Sequence, residues 1–263
     1  MSGGQAQAQS PGDFSVTYGP NYSSADRKDT MKPSWVAPLA VLYRINCRYM
    51  VGADDDTFLV NKTTPGYQWG HGDPAVEGHI TLWNGGVGLY GKCLESIRPS
   101  LRFDDVITIP VSGTLESTKV VNQSKLTFLR PTITALGQQL ATLTVVAGAS
   151  VAGVSSGGTT ANALGSANYT RNFHPDGAWA WESEVDLASA NALSPSSAAV
   201  LFAIDGSLNQ SQTWLIRFGT SMGLTPYAPK VSPFVQFIFS KNLTPSAPAS
   251  GPGGSGIMRR RMR

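Results

Sequence analysis

The chain has 263 residues, of which 41% are hydrophobic and only 14% charged, and it contains two cysteines. So much apolar material excludes a globally disordered chain, and two cysteines exclude a dense disulfide scaffold or a four-cysteine metal site. The formal charge of +3 is gathered in Arg259, Arg260, Arg261 and Arg263, which leaves the body near neutral; a surface so poor in charge points to one covered by partners.

Residues 1–30 begin Gly-, Gln-, Ala- and Ser-rich and run on into a mixed polar stretch with Asp26-Arg27-Lys28-Asp29. Without a sustained apolar period they read as a flexible arm. The start lacks the basic and apolar regions of a secretory signal, and no apolar run reaches the length of a helical membrane span. A soluble chain made in the cytoplasm, without membrane insertion, is the expectation. From Val41 to Val51 the apolar set Val41, Tyr43, Ile45, Cys47, Tyr49 and Val51 alternates with Leu42, Arg44, Asn46, Arg48 and Met50. That period of two predicts one strand.

Shorter runs at 57–61, 79–83, 106–111, 119–129, 140–146 and 199–204 predict further strands. Alternation returns where Trp214, Ile216 and Phe218 oppose Leu215 and Arg217, and again where Val235, Phe237 and Phe239 oppose Phe234, Gln236 and Ile238. Turn signals such as Thr64-Pro65-Gly66, Asn84-Gly85-Gly86 and Asp205-Gly206 separate them. A short helix is predicted from Glu182 to Leu193, with Pro195 beyond its end. The fold class is therefore all-β, an antiparallel jelly-roll β-sandwich over 31–243, with 244–263 a Pro/Gly linker and basic tail.

Chemistry is sparse. His71 and His79 flank Asp73 and Glu77, and His174 stands apart; no structural zinc spacing is present, and polar loop histidines are the plainer reading. There is no G-x-S-x-G nucleophile elbow and no phosphate-binding loop, so the chain reads as not an enzyme. Asp54, Asp55 and Asp56 are the densest acidic cluster, either a solvated turn or oxygen donors for calcium at subunit contacts. Trp179 and Trp181 project to one side of a strand, as sandwich core or as a stacking platform. Arg44 and Arg48 share the face opposite Tyr43 and Tyr49, where they cap polar neighbours at a subunit contact or face nucleic acid. Cys47 and Cys93 can pair, although spacing does not show it.

The arm, the strand-rich body from Trp35 to Asn242, and the terminal run Ile257-Met258-Arg259-Arg260-Arg261-Met262-Arg263 together resemble the coat proteins of small non-enveloped icosahedral viruses. The resemblance spans the chain and is architectural, without a family motif. It implies a capsid protein of the virion that self-assembles into an icosahedral shell and packages viral nucleic acid through Arg259, Arg260, Arg261 and Arg263. The rival reading is a carbohydrate-binding sandwich of the lectin type. Six Trp and eight Tyr suit sugar stacking, and N-x-S/T sequons stand at Asn21, Asn61, Asn122, Asn168, Asn209 and Asn242.

Overall fold

The computed structural model describes residues 10–28, 32–63, 66–88, 92–111, 120–134, 139–153, 158–173, 178–191 and 195–243. In chain order the strands are β1 (Asp13–Tyr18), β2 (Asn21–Ser23), β3 (Ser34–Arg44), β4 (Tyr49–Thr63), β5 (Gly66–Gly70), β6 (Ala75–Trp83) and β7 (Ser100–Thr108). There follow β8 (Val121–Ile133), β9 (Gln139–Gly153), β10 (Thr159–Asn172), β11 (Trp179–Ala188), β12 (Ser197–Ser207), β13 (Trp214–Gly223) and β14 (Val231–Asn242). From β6 to β14 each strand pairs antiparallel with the next.

The sheet closes on itself. β14 returns to β1 in a register running from Asp13↔Asn242 to Tyr18↔Phe237. β1 also pairs with β3, β3 with β4 and β4 with β6. Setting aside the short β2 and β5, this ring has 12 strands. β2 carries β1 onward past Gly19-Pro20, and β5 pairs only with the far half of β4. Proline cannot donate to a ladder, and a Cβ on Gly19 would collide with the carbonyl of Val235, so β1 ends there. His71-Gly72-Asp73-Pro74 separates β5 from β6 in a similar way.

A jelly roll buries the apolar faces of two sheets against each other. Here, among the described residues, strands touch their ring neighbours and no second sheet covers either face. Large apolar side chains accordingly lie exposed on the convex outer surface, among them Tyr43, Val51, Ile80, Leu126, Val145, Phe202, Phe218 and Phe237. The largest fully buried side chains are Arg217, Glu182 and Glu184, which point inward. The jelly-roll expectation is corrected to a closed up-and-down barrel with polar side chains inside and apolar ones outside. The alternation was read correctly, but the apolar face was assigned to a core.

Three local expectations change as well. The supposed single strand from Val41 to Val51 is a hairpin, because the Asn46 side-chain carbonyl accepts the amides of Arg48 and Tyr49 at 2.8 and 3.0 Å and turns the chain. The predicted helix from Glu182 lies largely in β11, whose ladders to β10 and β12 use its backbone. Finally, β1 and β2 fall inside the stretch 1–30 that composition reads as an arm.

Candidate functional site

The barrel interior is built by strand parity. On β11 the residues Glu182 and Glu184 share one face, opposite Trp181 and Val185. Glu182 stands across from Ala203 of β12, and Ala203 across from Gly219 of β13, two residues from Arg217 on the same face. Arg217 is thereby brought to Glu182. Its Nη2 donates to Glu182 Oε2 at 2.6 Å, and its Nε lies 3.5 Å from Asp205 Oδ1. The guanidinium also packs 5.3 Å from the centre of the Phe234 ring. The Asn168 amide of β10 donates to Glu182, and to Glu184 Oε2 at 3.3 Å.

A second network occupies β6, β7 and β8. His79 and Asp104 face each other in register, and His79 Nδ1 lies 2.6 Å from Asp104 Oδ1. Arg102 Nε donates to the same oxygen at 2.5 Å, while the Thr127 hydroxyl donates to Oδ2 at 2.5 Å. Glu77 Oε2 lies 3.2 Å from His79 Nε2. Buried charges are tolerated when each is paired and hydrogen-bonded; both networks draw partners from adjacent strands, although Arg217 Nε and Asp205 Oδ1 meet at 3.5 Å without a hydrogen bond.

The third group sits at the end where both β1 begins and β14 stops. A 3-10 turn, Leu94–Ser96, lies in the connection from β6 to β7. Its Glu95 pairs with Arg44 of β3 and accepts the Thr81 hydroxyl of β6 at 2.9 Å. Beside it, Cys93 forms a disulfide with Cys47 of the β3–β4 turn, Cα to Cα 5.1 Å. The pairing left open by spacing is thus made.

The residues singled out by sequence fall as follows. Asp54, Asp55 and Asp56 lie within β4, not in a turn. Successive strand residues face opposite sides, so the three carboxylates do not converge, and among the described residues no group of three His, Cys, Asp or Glu is placed to hold a metal. Arg44 points inward to Glu95, while Arg48 belongs to the β3–β4 turn. His71 is bonded to its own loop at Gly72, whereas His79 is a buried member of the interior and no loop residue. His174 and Arg259, Arg260, Arg261 and Arg263 lie outside the described residues.

Trp181 is on the outer face, tilted against Tyr169 with ring centres 5.5 Å apart, instead of in a core. The sequon residue Asn168 is engaged with Glu182 inside the barrel. Glu182, Glu184, Asp205, Arg217, Arg102 and Glu95 were missed. The signal was present in Trp181-Glu182-Ser183-Glu184-Val185-Asp186-Leu187, where acidic residues stand at every second position.

The chain superposes on the NanC porin with a TM-score of 0.54 and 8% identity, over 86% of this chain and 99% of that one. The fold is a porin-type barrel. OmpT, an outer membrane protein of Vibrio cholerae, aligns over 90% of this chain and all of that one at 9% identity, with a TM-score of 0.39. An anion-selective porin from Comamonas acidovorans aligns over 87% of this chain and 98% of its own at 8% identity, with a TM-score of 0.39. No family model matches the chain, and no curated protein does. The porin-type barrel replaces the jelly-roll body on which the coat-protein, icosahedral-shell and virion expectations rested, and equally the sandwich required by the lectin alternative.

Proposed function

We propose that the chain is a pore of an outer membrane, a non-enzymatic channel through which small polar solutes diffuse. The observation that carries this reading is the inverted polarity of a closed barrel, with Arg217, Glu182 and Glu184 buried inside while Phe202, Phe218 and Phe237 face outward. In water, such a band of exposed apolar side chains drives aggregation. In a bilayer it is the favourable arrangement, and ring closure leaves no unpaired strand edge in the hydrocarbon.

Dimensions support the same reading. A tilted strand of about 9–11 residues crosses a bilayer core; β6 and β7 have 9 residues and β11 and β13 have 10. Tyr43, Tyr49, Trp83, Trp181 and Trp214 are exposed toward one rim, as in an interfacial aromatic girdle. Twelve strands spaced about 4.8 Å and tilted about 40° enclose a backbone cylinder roughly 24 Å across. The decisive measurement is conductance. Refolded from urea into detergent and added to a planar lipid bilayer, the chain should produce discrete current steps and release small sugars from liposomes. A protein that is monodisperse in detergent-free buffer and never conducts would overturn the reading.

A further inference from the structure

Three arginines point into the barrel from its strands, and each is buried against a carboxylate. Arg44 pairs with Glu95, Arg102 with Asp104 and Arg217 with Glu182. Charges cancelled in this way leave little field in the lumen. The inward-facing charged groups that stay half-buried are mostly acids, among them Asp54 and Asp56 on β4, Asp186 on β11 and Asp205 on β12. Among the described strand residues, Lys125 on β8 is the one half-buried lysine or arginine on that face.

The ladders bring acids of opposite walls to one height. From Met50 on β4 the pairs run through His79, Asp104, Lys125, Gly148 and Leu164 to Ala188 on β11. The other way round, from Asp55, they run through Leu39, Tyr18, Phe237, Ile216 and Gly206 to Trp179. Met50 and Asp55 are five residues apart and Trp179 and Ala188 nine, so the ring closes with a stagger of fourteen residues. Each route crosses six strand spacings and carries half of that stagger. The point of β11 level with Asp54 therefore falls between Glu184 and Asp186, on the far side of the barrel.

Across a backbone cylinder roughly 24 Å wide, carboxylates on both walls stand within about 10 Å of the axis, one Debye length in 0.1 M salt. Their fields overlap in the lumen, and the low-dielectric walls focus them. Gln236 of β14 gives an independent indication of the same preference. It faces inward across from Arg217 in the ladder, is 9% exposed, and its Oε1 has no hydrogen-bond partner. A buried acceptor of this kind is satisfied by a donor such as an ammonium or guanidinium group, and an anion offers it none.

We propose that the pore is cation-selective, passing alkali cations and small solutes that bear ammonium or guanidinium groups in preference to anions, with Asp54, Asp56 and Asp186 as the residues that determine the choice. The proposal rests on the pore reading above and adds to it the charge of the solute. It also gives the aspartate run of β4 a role, since Asp54 and Asp56 face the lumen while Asp55 between them faces out.

The test is the zero-current potential of the inserted chain in a planar bilayer, with potassium chloride at about 0.1 M on one side and about 0.01 M on the other. Barrel integrity is read from the mobility of unheated protein in detergent gels. The wild type should favour potassium over chloride roughly fivefold or more. That ratio should approach one when the salt is raised to about 1 M, where the Debye length is about 3 Å. Asp54→Asn combined with Asp186→Asn should cut the low-salt ratio at least about twofold, and Lys125→Gln should raise it. If the double variant fails to fold, the wild-type ratio and Lys125→Gln decide. Channels that conduct but favour chloride, or show no preference at low salt, would overturn this proposal and leave the pore reading standing. A cation preference that both variants leave unchanged would overturn it too. Intact inserted barrels that never conduct would overturn the pore reading and this inference with it.

Discussion

Strand β11 carries two faces that obey opposite rules. Trp181, Val185 and Leu187 on the outer face are 37%, 39% and 55% exposed, while Glu182 and Glu184 between them are 2% exposed. A soluble protein puts these two sets the other way round. The contrast shows that a period of two identifies the faces of a sheet without saying which of them meets water. Partners say it instead. The buried carboxylates find an arginine and an asparagine amide on neighbouring strands, whereas on the outer face Trp181 rests against Tyr169 of the adjacent strand.

The comparison can be broken from either side. The largest effect is expected at Arg217→Ala, which strands the Glu182 carboxylate in the interior; losing one partner of a buried pair costs about 3–5 kcal/mol. Urea titration of protein folded in lipid vesicles would read it. A second variant sharpens the point: Arg217→Met combined with Glu182→Leu removes both charges and should cost distinctly less. Little loss in the single variant would mean that water reaches Glu182 freely and the inner face is not closed.

From outside, Phe237→Arg places a charge midway along β14 on the apolar band. In a membrane this costs about 2–4 kcal/mol in the same titration. If the band were simply bare to water, the arginine would be harmless or would improve solubility. The smallest of the three effects is Thr127→Val, which removes the hydroxyl bonded to Asp104 Oδ2 while His79 and Arg102 remain on the other oxygen. About 1.5 kcal/mol is expected for one charge-assisted hydrogen bond. A loss as large as that of Arg217→Ala would show the two interior networks to be coupled.

Much of the sheet was legible. The runs at 79–83 and 199–204 fall on β6 and β12, and those at 119–129 and 212–220 overlap β8 and β13, whereas Asp205-Gly206, expected as a turn, is paired on both sides within β12. The architecture was not, for two physical reasons. Closure depends on residues 13–18 meeting 237–242, and no local pattern encodes that partnership. The stretch beginning at Glu182 is rich in Glu, Ala and Leu, which favour helix, so propensity masked an alternation that ladders on both sides turn into strand. At the site, Cys47 and Cys93 were visible as a possible pair, but Glu95 was not. Nothing around Leu94-Glu95-Ser96 distinguishes a carboxylate bound for the barrel interior from one in solvent, since its partners Arg44 and Thr81 lie far off in sequence.

The seam between β1 and β14 differs in kind from every other junction of the ring. Most of the others join consecutive strands that can zip as hairpins while the chain is being made, and β1–β3 and β4–β6 reach only across β2 and β5, so there is little loop entropy to overcome. The seam joins the two extremities and has six matched residues to do so. Until the final strand arrives, the nascent object is a curled ribbon with two raw margins, each able to recruit a stray strand from another molecule. The slow and hazardous moment in this protein's life is therefore the stitching of that last short join.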